Sequence, residues 1–154
     1  MTANTKKIIL ALGGNLGDVK SNFRKAFKLL ANGGVKILGQ STIIETAPID
    51  CPPDTPDFYN MAVIAETRLA PSELLKLCQQ IEVALGRPAD HGYHLSRTID
   101  IDIIAIGNEK INSAELIVPH PQALNRDFVM LPIKNLFEQQ LFSKSEFNFL
   151  CEKI

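Results

Sequence analysis

Two acids separated by a single residue set the first chemical constraint. In Thr98-Ile99-Asp100-Ile101-Asp102-Ile103-Ile104, strand alternation places Thr98, Asp100, Asp102 and Ile104 on one face and Ile99, Ile101 and Ile103 on the other. The carboxylates then stand side by side, about 7 Å apart at the backbone. Ionised in a cleft, they repel each other unless a cation or proton intervenes, and hard oxygen donors on a rigid strand suit Mg²⁺ holding a nucleotide's phosphates. An isolated Asp-x-Asp more often marks a strand with one solvated face. Here Arg97 precedes the strand, Arg87 closes the helix before it, and Arg126 follows Pro119-His120. Guanidinium groups grip phosphate in a bidentate fork and keep their charge. His91, His94 and His120 fall in the same half of the chain, so a transition-metal site built from them and the two acids stays open. Phe58 and Phe128 are the rings nearest the first long loop and the His120 segment, with Asn60 on the same strand face as Phe58. Core packing is the plainer reading of both rings. The turn Gly13-Gly14-Asn15-Leu16-Gly17-Asp18 lacks the Rossmann spacing, and no Gly-Lys-Ser/Thr follows it.

The elements that must hold these groups follow from periodicity. Ile8–Leu12 is an apolar run closed by Gly13-Gly14 and reads as a strand buried on both faces. Asp18 caps a helix with Phe23, Ala26, Phe27 and Leu30 at helical spacing, stopped at Asn32-Gly33-Gly34. Val35–Thr46 is β-branched and predicts one strand; Ala47–Asp57, with four prolines, is a surface loop. Phe58–Thr67 is a further strand, and Pro71 opens a helix carrying Leu74, Leu77, Cys78, Ile81 and Leu85 that stops at Gly86. Arg87–Ser96 is a second long loop, Thr98–Ile106 a strand, Gly107–Lys110 a hairpin turn and Ile111–Val118 a returning edge strand. One or two short helices finish the chain, with Phe128, Leu131, Ile133, Leu136 and Phe137 free to cover a sheet. The order β-α-β-β-α-β, then a hairpin and C-terminal helices, predicts an α+β sandwich of the ferredoxin-like plan.

Composition narrows the class further. The chain has 154 residues, 45% apolar and 21% charged, which fits one globular domain over residues 1–154. Its net charge of −1 argues against broad wrapping of nucleic acid or anionic membrane, so any bound anion needs a local cationic cluster. No apolar run approaches the roughly 18 residues of a membrane span, and Met1–Lys7 is polar, so neither export nor anchoring is expected. Cys51, Cys78 and Cys151 are odd in number and lack paired ligand spacing, which suits a reducing cytoplasm.

Six co-ordered segments resemble the 6-hydroxymethyl-7,8-dihydropterin pyrophosphokinase family of folate biosynthesis. They are Ala11–Asp18, Glu45–Pro48, Pro56–Val63, Ile81-Glu82 with Gly86-Arg87, Arg97–Ile103, and Val118–His120 with Arg126–Val129, and they span about residues 8 to 133. The resemblance implies transfer of pyrophosphate from ATP to the pterin hydroxymethyl group, with AMP released. It implies two Mg²⁺ ions on Asp100 and Asp102, and a catalytic role for Arg87 and Arg97 beside those acids. Gln79, Glu82, Arg87, Arg97, Ile103, His120 and Arg126 match positions around ATP. Gly13, Thr46, Ile49, Phe58, Asn60 and Phe128 match positions around the pterin. A monomer is expected, with another folate-pathway enzyme as a compatible partner. Ala89, Tyr93, His94 and Glu115 stand where family members carry further nucleotide-contacting residues, Arg among them, and Ile117, Gly14, Ala47 and Pro121 also depart from the usual residue. A pterin or nucleotide binder that has lost catalysis is therefore the alternative, with a metal hydrolase on His91, His94, His120 and the two acids behind it.

Overall fold

The computed structural model describes residues 4–48, 50–86 and 98–150. The chain runs β1 (Lys6–Gly14), α1 (Val19–Asn32), β2 (Val35–Gln40), β3 (Ile44–Thr46), β4 (Phe58–Thr67), α2 (Pro71–Ala84), β5 (Asp100–Ile106), β6 (Ile111–Asn112), β7 (Ile117–Val118) and α3 (Asp127–Glu138). Single 3₁₀ turns occupy Ala123–Asn125, Lys144–Glu146 and Asn148–Leu150. The main sheet has the order β2-β4-β1-β5, with β3 also paired to β4, and every described ladder in it is antiparallel. With β2 and β3 sharing one position, this is the ferredoxin-like order expected from the element sequence.

Both faces of the sheet are covered. On one, Ile8, Leu10 and Leu12 pack with Phe23, Ala26 and Leu30 of α1 and Leu74, Cys78 and Ile81 of α2. On the other, Ile9, Ala62 and Ile64 pack with Val129, Ile133 and Leu136 of α3 and with Phe142 and Phe147 from the C-terminal turns. That two-sided burial is why the Ile8–Leu12 run is apolar throughout. The Asp18 carboxylate accepts the Ser21 N–H at 3.1 Å and starts α1 as its residue type requires. Gly86, at φ 107°, ends α2 in the left-handed region that disfavours a side chain.

Four expectations need correction. The strand predicted over Val35–Thr46 breaks into β2 and β3 because polar groups intercept its ladder. Ser41 is buried; its hydroxyl accepts the Ala62 N–H at 2.9 Å and donates to the Thr42 carbonyl at 2.8 Å, while the Thr42 N–H goes to Asn135 Oδ1 of α3 at 2.9 Å. Ile111–Val118 is not a single edge strand: β6 and β7 pair with each other, and Ser113 Oγ closes their turn by accepting the Leu116 N–H at 3.1 Å. β5 begins at Asp100 rather than Thr98, and a bulge opposite Ile9 and Leu10 puts both Ile104 and Ala105 in the α3 layer. Phe128 and Leu131 do not cover the sheet; at 40% and 54% exposure they leave that task to Val129, Pro132, Ile133 and Leu136, the face that the start of α3 at Asp127 turns inward.

Ser41→Ala should destabilise the fold by about 1–3 kcal/mol, since it strands the buried Ala62 N–H. The urea midpoint checks this; a change under about 0.5 kcal/mol would mean that amide finds another partner.

Candidate functional site

The register of β1 assembles the site's first row. Gly13 pairs with Asn60 of β4 on one side and Asp100 of β5 on the other; two residues back, Ala11 pairs with Ala62 and Asp102. Asn60 itself pairs with Ile44, and Phe58 with Thr46. Because Ile101 and Ile103 point into the α1/α2 layer, Asp100 and Asp102 face the α3 side, as do Ala11 and Ala62. Adjacent strands are about 4.8 Å apart, so Asn60 and Asp100 flank Gly13 with roughly 10 Å between their backbones. A Cβ at residue 13 would lie 2.7 Å from Asn60 Oδ1, so the glycine leaves the room that the Asn60 amide occupies.

β5 is an edge strand, and its outward N–H groups need partners. Glu82 of α2 accepts the Ile101 N–H through Oε2 at 2.8 Å, fixing the amide between the two acids. Ile103 is buried on its side-chain side. By ladder alternation its backbone groups face the same edge as the Ile101 N–H. Gln79 is exposed one turn before Glu82 on the same helix. Burial, and then the negative charges of Glu82 and Asp102, push the Cys78 thiol up to about 12, so it stays neutral and inert in the core.

His120 closes the other end. Its N–H donates to the Ile104 carbonyl at 2.8 Å, and its ring Nδ1 accepts the Gln122 N–H at 3.3 Å, which leaves the proton of a neutral imidazole on Nε2. Burial and then the Arg126 guanidinium hold His120 below the usual imidazole range, against an opposite pull from Asp100. Asp100, His120 and Arg126 thus share one electrostatic neighbourhood. The Arg126 guanidinium sits 5.7 Å from the centroid of the half-open Phe128 ring and donates to the Gln122 side-chain oxygen.

Of the residues marked from sequence, Gly13, Asn60, Asp100 and Asp102 fall in two adjacent rows, with Thr46 and Phe58 paired beside them. Glu82, His120, Arg126 and Phe128 are placed around that end of the sheet by the contacts above. Ile49, Arg87 and Arg97, with Ala89, His91, Tyr93 and His94, lie outside the described residues. Glu115 is exposed in the β6–β7 turn. Sequence reasoning missed Asn15, which is buried and donates to the Pro56 carbonyl at 3.1 Å, tying the glycine turn to the loop before Phe58. It also missed Asn22, which spans Leu16 and Thr98 through their carbonyls at 3.4 Å each. An asparagine in a glycine-rich turn carries no sequence signal of burial. Gln122, which carries the Arg126 guanidinium and the His120 ring, is the third.

The topology and the row of polar groups define an α+β sandwich of the ferredoxin-like class with two acids on its edge strand and an amide across the row, and the comparisons with known proteins narrow it. The family model described as 7,8-dihydro-6-hydroxymethylpterin-pyrophosphokinase (HPPK) matches residues 9–138. A Bacillus subtilis 2-amino-4-hydroxy-6-hydroxymethyldihydropteridine pyrophosphokinase is 41% identical over 131 residues, covering 84% of this chain and 77% of that protein. A mitochondrial folate synthesis bifunctional protein of Pisum sativum is 40% identical over 131 residues, covering 85% of this chain and 25% of that protein. The chain therefore belongs to the 7,8-dihydro-6-hydroxymethylpterin-pyrophosphokinase family. It spans about a quarter of the length of the plant bifunctional relatives. The Plasmodium falciparum HPPK-DHPS crystal structure shares the fold at TM-score 0.65 and 16% identity, covering 86% of this chain and 40% of that one. No helix among the described residues is long and apolar enough to cross a membrane.

In ligand-free, metal-free protein, an NMR titration should place His120 below the usual imidazole value of about 6.5, as the Nε2–H tautomer. The native state then binds fewer protons than the unfolded one, so this contribution to stability is intact above about pH 6.5 and falls away as pH drops through the folded value. His120→Gln should flatten that dependence in urea titrations. A wild-type-to-variant difference that does not change between about pH 7.5 and 5 would refute the assignment.

Proposed function

We propose that this chain transfers a pyrophosphoryl group from ATP to the hydroxymethyl oxygen of 6-hydroxymethyl-7,8-dihydropterin. The hydroxyl oxygen bonds to the β-phosphorus, the bond to the α,β-bridging oxygen breaks, AMP leaves with that electron pair, and the hydroxyl proton passes to solvent. The observation that carries the reading is the row Asn60–Gly13–Asp100, which sets an amide able to read a heterocycle's edge across one glycine from a paired-acid face. The named activity of the Bacillus subtilis relative supports it.

Among the described residues no three His, Cys, Asp or Glu side chains gather as a metal-holding group. Two carboxylates alone fit Mg²⁺, which keeps water ligands and takes the rest from phosphates. On this reading Asp100 and Asp102 would hold two Mg²⁺ ions, which when bound would draw charge from the triphosphate and make the β-phosphorus more electrophilic. The chain's own contribution is positioning and charge, and no side chain has to act as a strong base. Glu82 fixes the strand between the acids, and Gln79 and the outward backbone of Ile103 line the same edge for the nucleotide. His120 offers Nε2–H without adding charge, and Arg126, with Arg87 and Arg97, takes phosphate oxygens. Asn60 reads the pterin edge with backbone groups near Gly13, Thr46 and Ile49, and Phe58 and Phe128 bracket its ring. A cytoplasmic protein and a monomer complete the reading. A second folate-synthesis enzyme is the partner it admits, since the plant bifunctional relatives carry the matching region within a longer chain.

Purified protein should form AMP only with ATP, Mg²⁺ and the reduced pterin all present, stop on chelation and recover with Mg²⁺. Binding of both ligands by calorimetry without turnover would favour a binding module instead. Asp100→Ala and Asp102→Ala should each lower the rate by about 10²–10³-fold, the scale for removing a preorganised charge-stabilising group. Their urea midpoints should barely move, because each change also relieves carboxylate repulsion. Unchanged turnover in both variants would take the acids out of the site.

A further inference from the structure

We propose that Gln122 is a positioning residue that aims Arg126, and the inference rests on the pyrophosphokinase reading. The backbone around it is pinned at both ends. His120 is tied to β5 through the Ile104 carbonyl, Ala123 is fully buried, and the Ala123 and Asn125 N–H groups donate to the His120 and Gln122 carbonyls at 3.2 and 3.1 Å. The single 3₁₀ turn that follows brings residues 122 and 126 together, with the Arg126 N–H on the Ala123 carbonyl at 3.2 Å. The Gln122 side-chain oxygen then takes one guanidinium N–H, and the planar group comes to lie 5.7 Å over Phe128.

An arginine side chain has many rotamers, and a phosphate contact requires it to settle into one of them. A neutral carbonyl acceptor selects the direction without cancelling the charge, and it uses one of five N–H donors, leaving the others for a phosphate. A carboxylate at the same place would compete with the phosphate for the cation. The same residue's backbone N–H holds His120 Nδ1, so residue 122 orients both the guanidinium and the imidazole. Only the first of these depends on the side chain, which makes the two roles separable by substitution.

The test is a double-mutant cycle of Gln122→Met and Arg126→Ala, read by calorimetric affinity for a non-hydrolysable ATP analogue with Mg²⁺. Gln122→Met keeps length but removes the acceptor; it should weaken the analogue about three- to tenfold in the wild-type background, the range for one lost hydrogen bond, and leave it unchanged in Arg126→Ala. Affinity for the pterin alone should stay the same in Gln122→Met. In ligand-free protein, ¹⁵N relaxation of the Arg126 Nε–H should report a stiffer side chain in the wild type than in Gln122→Met. Equal losses in both backgrounds, no loss in either, or unchanged Arg126 mobility would each overturn the role. A wild type with the stiff Arg126 that binds no ATP analogue would instead sink the pyrophosphokinase reading, and with it this use of Gln122.

Discussion

Pairing of β1 on both of its edges is the constraint from which the candidate site follows. Because Gly13 and Ala11 are laddered to β4 and β5 at once, the amide of Asn60 and the carboxylate of Asp100 cannot shift independently. Hydrophobicity alone does not fix that register, since β1 is apolar on both faces. Size and charge do. The row on the α3 side carries Ala11, Ala62 and the two acids, while Leu10, Leu12 and Val63 fill the α1/α2 side. A slip of β5 by one residue would drive Asp100 and Asp102 into the apolar layer and turn Ile101 and Ile103 outward. Burying an unpaired carboxylate costs several kcal/mol, so the acids that characterise the site also specify the strand's face.

The two layers then divide the work. The α1/α2 layer acts from behind the sheet: Glu82 reaches around the edge to the Ile101 N–H and removes the freedom of an edge strand where the acids stand. The α3 side supplies the candidate ligand groups, with His120, Arg126 and Phe128 within nine residues of one another in sequence and His120 tied to β5 through a backbone hydrogen bond. The glycine turn joins the layers, because Asn15 holds the first long loop and Asn22 holds the chain entering β5.

What could be read from sequence was whatever depends on a residue's own neighbours. The Asp18 cap, the limits of Phe58–Thr67, the stop at Gly86 and the alternation through Asp100 and Asp102 are local, and they stand in the structure as expected. The break after Gln40 was not legible, because it depends on Asn135, more than ninety residues away, taking the Thr42 N–H. The bulge at Ile104 was hidden too, as the four consecutive apolar residues Ile103–Ile106 carry no mark of which one is unpaired. Glu82 was marked for its place beside a nucleotide, yet its described bond is to backbone across the helix–strand gap, which helical periodicity cannot anticipate. Phe128 was legible as a residue of interest and illegible as an exposed one, since one position of helical phase decides between core and surface.

Electrostatics gives the pyrophosphokinase reading its sharpest internal requirement. Asp100, Asp102 and Glu82 put three carboxylates along one short strand edge, and His120 is held neutral by burial and by Arg126. A triphosphate brought to that edge adds several more negative charges. At an effective dielectric constant of about 20, each pair of like charges 5 Å apart costs on the order of 3 kcal/mol, and these costs accumulate over the phosphates. One guanidinium cannot offset them, however well Gln122 aims it. On this reading the missing positive charge has two sources: Arg87 and Arg97, which flank the second loop in sequence, and divalent ions held by the acid pair. His120, held neutral by burial and by Arg126, donates a hydrogen bond but adds no positive charge, so it does not reduce that deficit. On the pyrophosphokinase reading the acids therefore require cations beside the nucleotide, because without them three carboxylates at that edge would repel a triphosphate.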